Sequence, residues 1–568
     1  MNMSNAEVAK ILRQVAAVYA IEGDDAFRVS AYTNAANSIE SSEESVHDLW
    51  ESGKLDTIPG IGEKLTQHLD ELFRTGKVKH FDELFAKVPG GIFPLLDIPG
   101  IGPKTALKLA NTYHLHDEST ALTKLEKLGR EGELDEKTLK GMERLRTQTQ
   151  QRILLSTALR ISSEITDFLK KNRDVIEAEA MGSIRRRTET IGDIDIGVST
   201  LWPGRVTKYL KTFPKVKRVV SMGERLLRLD HKSGLQIDVR LHEPKAWGSL
   251  LQHYTGSKAH NIALRSLAMK RGLSLSEYGF KKGRGVILCP RERDVYDNLG
   301  LRFIPPEIRE NIGEIEAAEK GEISPLVELK HIRGDFHIHT NLEFPSSHDT
   351  GVSSVRELLE KATHLKYSYI GFSDHNPKQS GLSDDERLKA VQKHRAQLEK
   401  AAENFPRIKV YFGLEVDILP DGDLAVGDDI LNVLDYAIVS IHSVFSQDEE
   451  KTTARILKAL EHPKAKILGH PTGRIIQTRD EIDADWSEIF SYCSKHKKLV
   501  EINATPTRLD LPPELIREAR KQNVKFIINT DSHSSDNMDF MQYGVFAARR
   551  GWCSKKDIVN CSPSFSLQ

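Results

Sequence analysis

Cysteine is scarce in this sequence: there are four in 568 residues (Cys289, Cys493, Cys553 and Cys561), with no CxxC spacing. That excludes a disulfide-stapled secreted scaffold and a thiolate zinc site, and it fits a reducing, cytoplasmic setting. Long apolar runs are lacking too. No stretch approaches the ~18 residues of a membrane span, and the first residues form no secretory apolar core. A surplus of either charge is also missing, since 81 basic and 82 acidic side chains leave a net charge of −1. A uniformly basic nucleic-acid coat is thereby excluded, whereas local basic patches are not. The chain reads as a cytoplasmic protein without a membrane partner. Its length exceeds what one hydrophobic core supports, so about three to five domains are expected.

What the chain does contain is a recurring pattern beyond about residue 333. Short apolar runs there carry His, Asp or Glu at their ends: DFHIH (Asp335–His339), YIGFSDH (Tyr369–His375), VYFGLEVD (Val410–Asp417), YAIVSIH (Tyr436–His442), KILGH (Lys466–His470), LVEIN (Leu499–Asn503) and FIINTDSH (Phe526–His533). Helix-like stretches separate them. Strand, polar residue and helix, repeated around a ring, is how a β/α barrel collects distant side chains at the C-terminal ends of its strands. His337 and His339 alternate on one strand face, and Asp531 and His533 repeat that geometry at the last run. Glu415 follows an apolar run, where an unpaired carboxylate is costly and a bridging metal removes the cost. His375, His442 and His470 each close a strand. One such histidine alone is an ordinary core or surface residue; together they read as ligands for several metal ions, the equipment of phosphoester hydrolysis. Arg474 (in GHPTGR) and Arg508 (in NATPTRLDLP) are expected phosphate clamps, because a guanidinium offers two donors to phosphate oxygens.

Near the N-terminus one unit occurs twice, IPGIGEKLTQHL (Ile58–Leu69) and IPGIGPKTALKL (Ile98–Leu109). Each reads as two helices joined by a tight hairpin. Gly60 and Gly62, and Gly100 and Gly102, let a phosphate approach the unpaired N–H groups at the second helix, with Lys64 and Lys104 adding charge. Such contacts hold DNA by its backbone without reading sequence.

Between these regions, IGDIDIGV places Asp193 and Asp195 two apart on a strand, so both side chains leave one face. Asp238, in LQIDVRL, lies on another short strand that is free to pair beside it. Carboxylates crowded in this way call for divalent cations, as phosphoryl-transfer sites do. Upstream, MGSIRRR (Met181–Arg187) offers a turn at Gly182 and Ser183, a helix start and arginines: a triphosphate cradle.

Two helix-hairpin-helix units followed by GSIRRRTETIGDIDIGV, QIDVRL and HYTGSKAHNIALR resemble a family X DNA polymerase. Fusion to a C-terminal barrel resembles the bacterial and archaeal type with a polymerase-and-histidinol-phosphatase (PHP) domain. The resemblance implies a multidomain α and α/β fold. Its parts would be a helical lyase-like domain over 1–87 with the first hairpin and a fingers-like domain over 88–150 with the second. A nucleotidyltransferase palm over 151–241, a thumb over 242–316, a linker over 317–332 and a distorted (β/α)7 PHP barrel over 333–568 would follow. It further implies Asp193, Asp195 and Asp238 as catalytic metal ligands, with Asp238 activating the primer 3′-hydroxyl. Ser183 and Arg186 match triphosphate contacts. Tyr254, Gly256, Asn261 and Arg265 match positions near the incoming nucleotide and template. In the barrel, His337, His339, Glu415 and Asp531 would surround one metal, Glu415, His442 and His470 a second, and His375 and His533 a third. Asp349, in preference to His348, matches the remaining ligand. Two positions depart from the eukaryotic relatives. His253 precedes Tyr254 where an aromatic pair is usual, which puts ribose discrimination in doubt, and His68 occupies the place of the Schiff-base lysine.

The expected function is gap-filling DNA synthesis in base-excision repair joined to a metal-dependent 3′→5′ exonuclease, with abasic-site cleavage as a further possibility for the same barrel. Substrates would be gapped or primer-template DNA and dNTPs, and the chain a monomer. Mg2+ or Mn2+ would serve the palm, and two or three Mn2+, Zn2+ or Fe2+ ions the barrel. Alternatives are a barrel that hydrolyses a small phosphoester or pyrophosphate, and a DNA-end-binding module with an inactive catalytic half, against which the intact aspartate set speaks.

Overall fold

A computed structural model describes the chain apart from residues 1, 2, 4, 24, 25, 42–45, 99, 131, 148–151, 224 and 564–568. Pro99 of the second hairpin and the expected boundary at 150/151 thus lie outside the described residues. Two compact bodies result, Met1–Gln151 and Arg152–Gln568.

The first body is helical. Long helices Asn5–Glu22 and Ala26–Ser41 pack on Glu63–Thr75 and Pro103–Thr112 around one apolar cluster that includes Leu12, Ile39, Leu69 and Leu109. Both GIG units form hairpins of one design. Gly60 and Gly100 take φ of 81° and 85°, where a side chain is strained, and Gly62 and Gly102 cap the following helices without a side-chain hydrogen bond. Ile58, Ile61, Ile98 and Ile101 are buried, so each hairpin is pinned from beneath while its glycine edge stays exposed.

The second body begins with a five-stranded sheet. Its strands are β1 (Glu177–Ala180), β2 (Ile194–Ser199), β3 (Val216–Met222), β4 (Leu226–His231) and β5 (Gln236–His242), in the order β1-β2-β5-β4-β3. Only β2 and β5 run parallel; the other neighbours are antiparallel. Helix Leu155–Lys170 presents Leu155, Ala158, Ile161, Ile165 and Leu169, an i, i+3/i+4 stripe, to the sheet residues Ile194, Ile196 and Val198. Helices Trp247–Thr255 and Lys258–Lys270 and a small three-stranded sheet follow, with their own apolar cluster. The stretch 317–332, expected as a linker, is packed: Leu326 joins that cluster, and Val327 N–H donates to the Cys553 carbonyl at 2.9 Å.

The last part is the expected barrel. Seven parallel strands lie in sequential order: β6 (Gly334–Asp335), β7 (Tyr369–Phe372), β8 (Lys409–Asp417), β9 (Tyr436–Ser440), β10 (Ala465–Leu468), β11 (Leu499–Asn503) and β12 (Lys525–Asn529). A parallel bridge between Ile338 and Ser532 brings the first and last runs together, so the ring nearly closes. Its floor is filled by Phe336, Tyr369, Tyr411, Tyr436, Ile438, Ile467, Leu499 and Ile527. Tyr436 crosses the interior to donate to the Phe336 carbonyl at 2.6 Å, which requires glycine at 371 and 413: a Cβ there would come within 2.3 and 2.5 Å of its side chain. The plug confines polar chemistry to the opposite, C-terminal rim. Among the described residues no helix is long and apolar enough to cross a membrane.

Candidate active sites

On the palm sheet the parallel pairing of β2 and β5 sets Asp195 directly opposite Asp238, and Asp193 stands exposed two residues before Asp195. The three carboxylates therefore share one face, as the spacing predicts. Burial, then the neighbouring Asp193 charge, pushes the Asp195 carboxyl up to about 7. Cationic neighbours offset the crowding. Arg228 on β4 grips both oxygens of Asp238 at 2.8 Å, and Gln236 adds a bond at 3.1 Å. Arg240 lies over the Tyr254 ring, 4.1 Å from its centre, and reaches to 4.0 Å of Asp195 and 3.8 Å of Asp238.

The sequence GSIRRR wraps this pair. A Cβ on Gly182, whose φ is 60°, would stand 2.7 Å from Asp195 Oδ2, so only glycine lets the short helix Gly182–Arg185 abut the carboxylate. Arg186 donates to the Thr255 carbonyl and pairs with Glu310 at 3.2 Å; a Cβ on Gly256 would meet its guanidinium at 3.1 Å. Arg185 is bound bidentately by Glu292 at 2.7 and 2.8 Å, which also takes Arg309 at 2.6 Å. Burial opposes the ionised form of Glu292, yet the two guanidiniums hold it near 2. Asn261 uses its amide internally, donating to the His253 carbonyl at 2.6 Å and accepting from Gln252 at 2.7 Å, so it shapes the His253–Tyr254 turn. Arg265, one turn on, is exposed.

The last barrel helix, Met541–Arg550, completes this cradle from behind. Arg550 donates to the Arg186 carbonyl at 2.9 Å and pairs with Glu310 at 3.2 Å, while Arg187 stacks on Phe546 at 4.4 Å.

At the barrel rim the expected ligands converge on Glu415, which is 1 % exposed. Its Oε2 lies 3.1 Å from His337, 3.6 Å from His339 and 3.1 Å from His375, and its Oε1 lies 3.2 Å from His442 and 2.8 Å from His470. Asp531 stands 3.5 Å from His337 and 3.3 Å from His339. Asp349 is brought to His375 at 3.6 Å and His533 at 3.5 Å, and His348 stands 3.0 Å from Asp417 with its ring centre 4.8 Å from that of His375. Burial disfavours the charged form of Glu415, but the surrounding imidazoles hold it well below the usual carboxylate range; burial opposes and Glu415 with Asp417 lifts His442 to about 9. His339, buried beside His533, is lowered to about 4. His470 and Asp531 adopt positive φ of 23° and 52°, a strained backbone that the surrounding structure imposes at the rim.

These residues fit divalent metals on their own terms. Buried nitrogens of His337, His339, His375, His470 and His533 find no hydrogen-bond partner, a state costly without a further ligand. Single ligand atoms of His337, His339, Glu415 and Asp531 lie within 4.8 Å of one another, as do those of Glu415, His442 and His470, of His339, His375 and His533, and of His348, His375 and His442. The two oxygens of Glu415 face the first two groups separately, the geometry of a bridging carboxylate.

Several residues escaped the sequence. Glu501 is fully buried 2.8 Å from His337 Nδ1, which orients that imidazole, and it accepts the backbone N–H of His470 at 2.7 Å, which anchors the loop carrying the second ring. The cost argument applied to Glu415 applies equally to this acid in LVEIN. Arg240, two positions from Asp238, was readable from strand alternation; Arg228 carried no signal. Arg474, expected as a clamp, is instead spent on Glu189 at 2.5 Å, Glu481 at 3.4 Å and the carbonyls of Arg508 and Leu509. Glu189 borders the palm, so Arg474 ties barrel to palm. Arg508 does face the rim, 3.8 Å from Asp531, and its Nη1 is buried without a partner. In the helical body His68 packs against Tyr32 at 3.0 Å and stacks on His80, ring centres 5.3 Å apart.

An acidic palm beside an imidazole-rich barrel defines a two-centre phosphoryl-transfer enzyme. Family profiles match in order: a helix-hairpin-helix domain (3–78), a SAM-like helix-hairpin-helix tandem (93–141), a DNA polymerase beta thumb (250–310) and a PHP domain (335–505). DNA polymerase/3′-5′ exonuclease PolX of Bacillus subtilis is 34% identical over 98% of this chain and 97% of its own. DNA polymerase lambda of Rattus norvegicus is 25% identical over 54% of this chain and 56% of its own. A probable phosphatase of Clostridium acetobutylicum is 30% identical over 35% of this chain and 79% of its own. The chain belongs to the family X DNA polymerases that carry a C-terminal PHP domain.

Proposed function

We propose that this protein fills short gaps in DNA during base-excision repair and trims 3′ ends, abasic sites included, at its PHP barrel. The observation that carries this is the pairing of Asp195 with Asp238 beside Asp193, on a chain that also gathers its barrel histidines around Glu415. Asp193, Asp195 and Asp238 would hold Mg2+ or Mn2+. His337, His339, Asp349, His375, Glu415, His442, His470, Asp531 and His533 would hold two or three Mn2+, Zn2+ or Fe2+ ions. Bound there, such metals neutralise phosphate charge and supply an activated water. Asp238, steadied by Arg228, takes the proton of the primer 3′-hydroxyl. Ser183 and Arg186 bind the dNTP triphosphate, and Gly256 leaves Arg186 room to do so. Tyr254 packs beside the nucleotide, and Asn261 holds that turn in place. Arg265 contacts the template. Lys64, Lys104 and the hairpin amides grip the DNA backbone, and Arg508 binds the phosphate being cut. The protein acts as a cytoplasmic monomer. Primer extension and 3′-end degradation on gapped DNA test the proposal; extension that survives Asp193→Ala, or degradation that survives His339→Ala, refutes it.

The similarity to a probable phosphatase favours a second reading for the barrel, hydrolysis of a small phosphoester. Rates on a phosphomonoester and on primer-template DNA, measured side by side, separate the two.

A further inference from the structure

Beyond the metal cluster, the barrel rim carries two guanidiniums that the protein leaves unsatisfied. Arg508 Nη1 is buried with no hydrogen-bond partner, and its nearest carboxylate contact is Asp531 at 3.8 Å. Arg479 donates through Nε to the Gly473 carbonyl at 2.7 Å and stacks on Phe445, its central carbon 3.8 Å from the ring centre. Its two terminal nitrogens meet no acceptor among the described residues. Three rim loops converge here. Phe445 follows His442, Gly473 follows His470, and the segment carrying Arg479 is stitched to that carrying Arg508 by the Ile476 N–H to Thr507 carbonyl bond of 2.8 Å. Arg474, between them, contrasts: its donors go to Glu189, Glu481 and two carbonyls.

Two half-buried cations within electrostatic reach of each other, with no carboxylate nearer than Asp531 at 3.8 Å from Arg508, repel each other and forgo hydrogen bonds. Burial, then the Arg508 charge, lowers the Arg479 guanidinium to about 10. An anion with several oxygens would relieve both costs, since a guanidinium matches phosphate oxygens with two donors. Phe445 fixes the plane of Arg479 at little entropic cost, which is the preparation a rigid phosphate contact needs. The scissile phosphate belongs to the metals and to Arg508 nearest Asp531. Arg479, on the loop after His470, lies within electrostatic reach of Arg508 and contacts none of the rim ligands among the described residues, a place for the next phosphate of a polynucleotide strand.

We propose that Arg479, on its Phe445 platform, is a subsite for the internucleotide phosphate adjacent to the bond being cut in a DNA strand. The proposal rests on the exonuclease reading given above. It makes the barrel selective for polynucleotides over esters with a single phosphate, because only the former reach Arg479.

The test uses the full chain and two substrates: a 3′-labelled DNA strand, and thymidine 5′-monophosphate p-nitrophenyl ester, which has one phosphodiester and no neighbour. Arg479→Ala is expected to raise KM on DNA about tenfold with kcat nearly unchanged, and to leave the small ester untouched. The slope of log kcat/KM against log salt on DNA should fall by about one. Arg479→Lys, which keeps the charge, should recover most of the loss. Equal activity of Arg479→Ala and the parent on DNA overturns the subsite alone. Equal losses on both substrates in the Ala and Lys variants overturn it too, by marking the residue as structural. A parent chain that cleaves the ester and leaves DNA intact overturns the exonuclease reading, and the subsite with it.

Discussion

Palm and barrel both gather ionisable side chains at strand ends, yet they handle the resulting charge in opposite ways. The palm crowds like charges: three carboxylates on one face, eased from the side by Arg228 and Arg240, with Asp195 lifted to about 7 by burial and by Asp193. The barrel interleaves unlike groups, each oxygen of a buried Glu415 facing imidazoles, and Glu501 behind them sets the orientation of the His337 ring. The first arrangement leaves like charges crowded and calls for cations to offset them. The second is balanced by its own ionic partners before any cation enters. A site built from repulsion gains most from a cation, whereas a site built from complementarity is shaped in advance for one.

The largest expected effect breaks the two centres apart. Asp193→Ala should lower primer extension by roughly a thousandfold or more while 3′-end degradation persists, and His339→Ala should do the reverse; a variant that loses both activities would show that the sites are one. Next, Glu501→Gln should weaken barrel metal retention about 10–100-fold, read as metal content after dialysis, with extension unchanged; full occupancy would deny that the barrel is held in readiness by its supporting acid. Third comes acidity. With Asp195 near 7 instead of the ordinary 3.8, the native chain keeps a proton that the unfolded chain has already lost between those values. The cation-free protein therefore loses stability as pH rises through that window, and Mg2+ restores it. Below pH 7 the metal must displace the proton, and its affinity should drop about tenfold per unit. Thermal shifts by Mg2+ in the His339→Ala background, equal at pH 6 and 8, would contradict this. Fourth, Arg550→Ala should raise KM for dNTP about three- to tenfold without slowing 3′-end degradation, since its contacts run to Arg186 and Glu310; an unchanged KM restores full independence of the halves. Smallest is an expected absence: borohydride should trap little or no adduct on a 5′-deoxyribose-phosphate end, because His68 cannot form the imine.

Much of this was legible in the sequence because its signals were local. Two-residue alternation placed Asp193 with Asp195 and His337 with His339, and the glycines of PGIG announced hairpins that φ of 81° and 85° bear out. The seven apolar runs gave the barrel its strands in order. What failed to show depended on which strands become neighbours. Arg228 matters only because β4 lies against β5, and nothing in LLRLDH marks it. Arg474 sits in a run as promising as that of Arg508, but Glu189 from the palm, together with Glu481 and two barrel carbonyls, claims its donors. Glu501 was overlooked although the penalty for a buried acid applied to it. The ordered stretch 317–332 looked like a linker because it is rich in charge and broken by Pro325, yet Ala318, Leu326, Val327 and Ile332 are buried in the neighbouring clusters and pin it.

The contact of Arg550 with the Arg186 carbonyl has a consequence for biosynthesis. A nascent chain emerging from the ribosome exposes Arg186 more than three hundred residues before the guanidinium that supports it has been made. On the proposed role of Arg186, full affinity for the nucleotide would thus arrive only after translation has passed through the barrel, on a chain that already carries the means to remove what it adds.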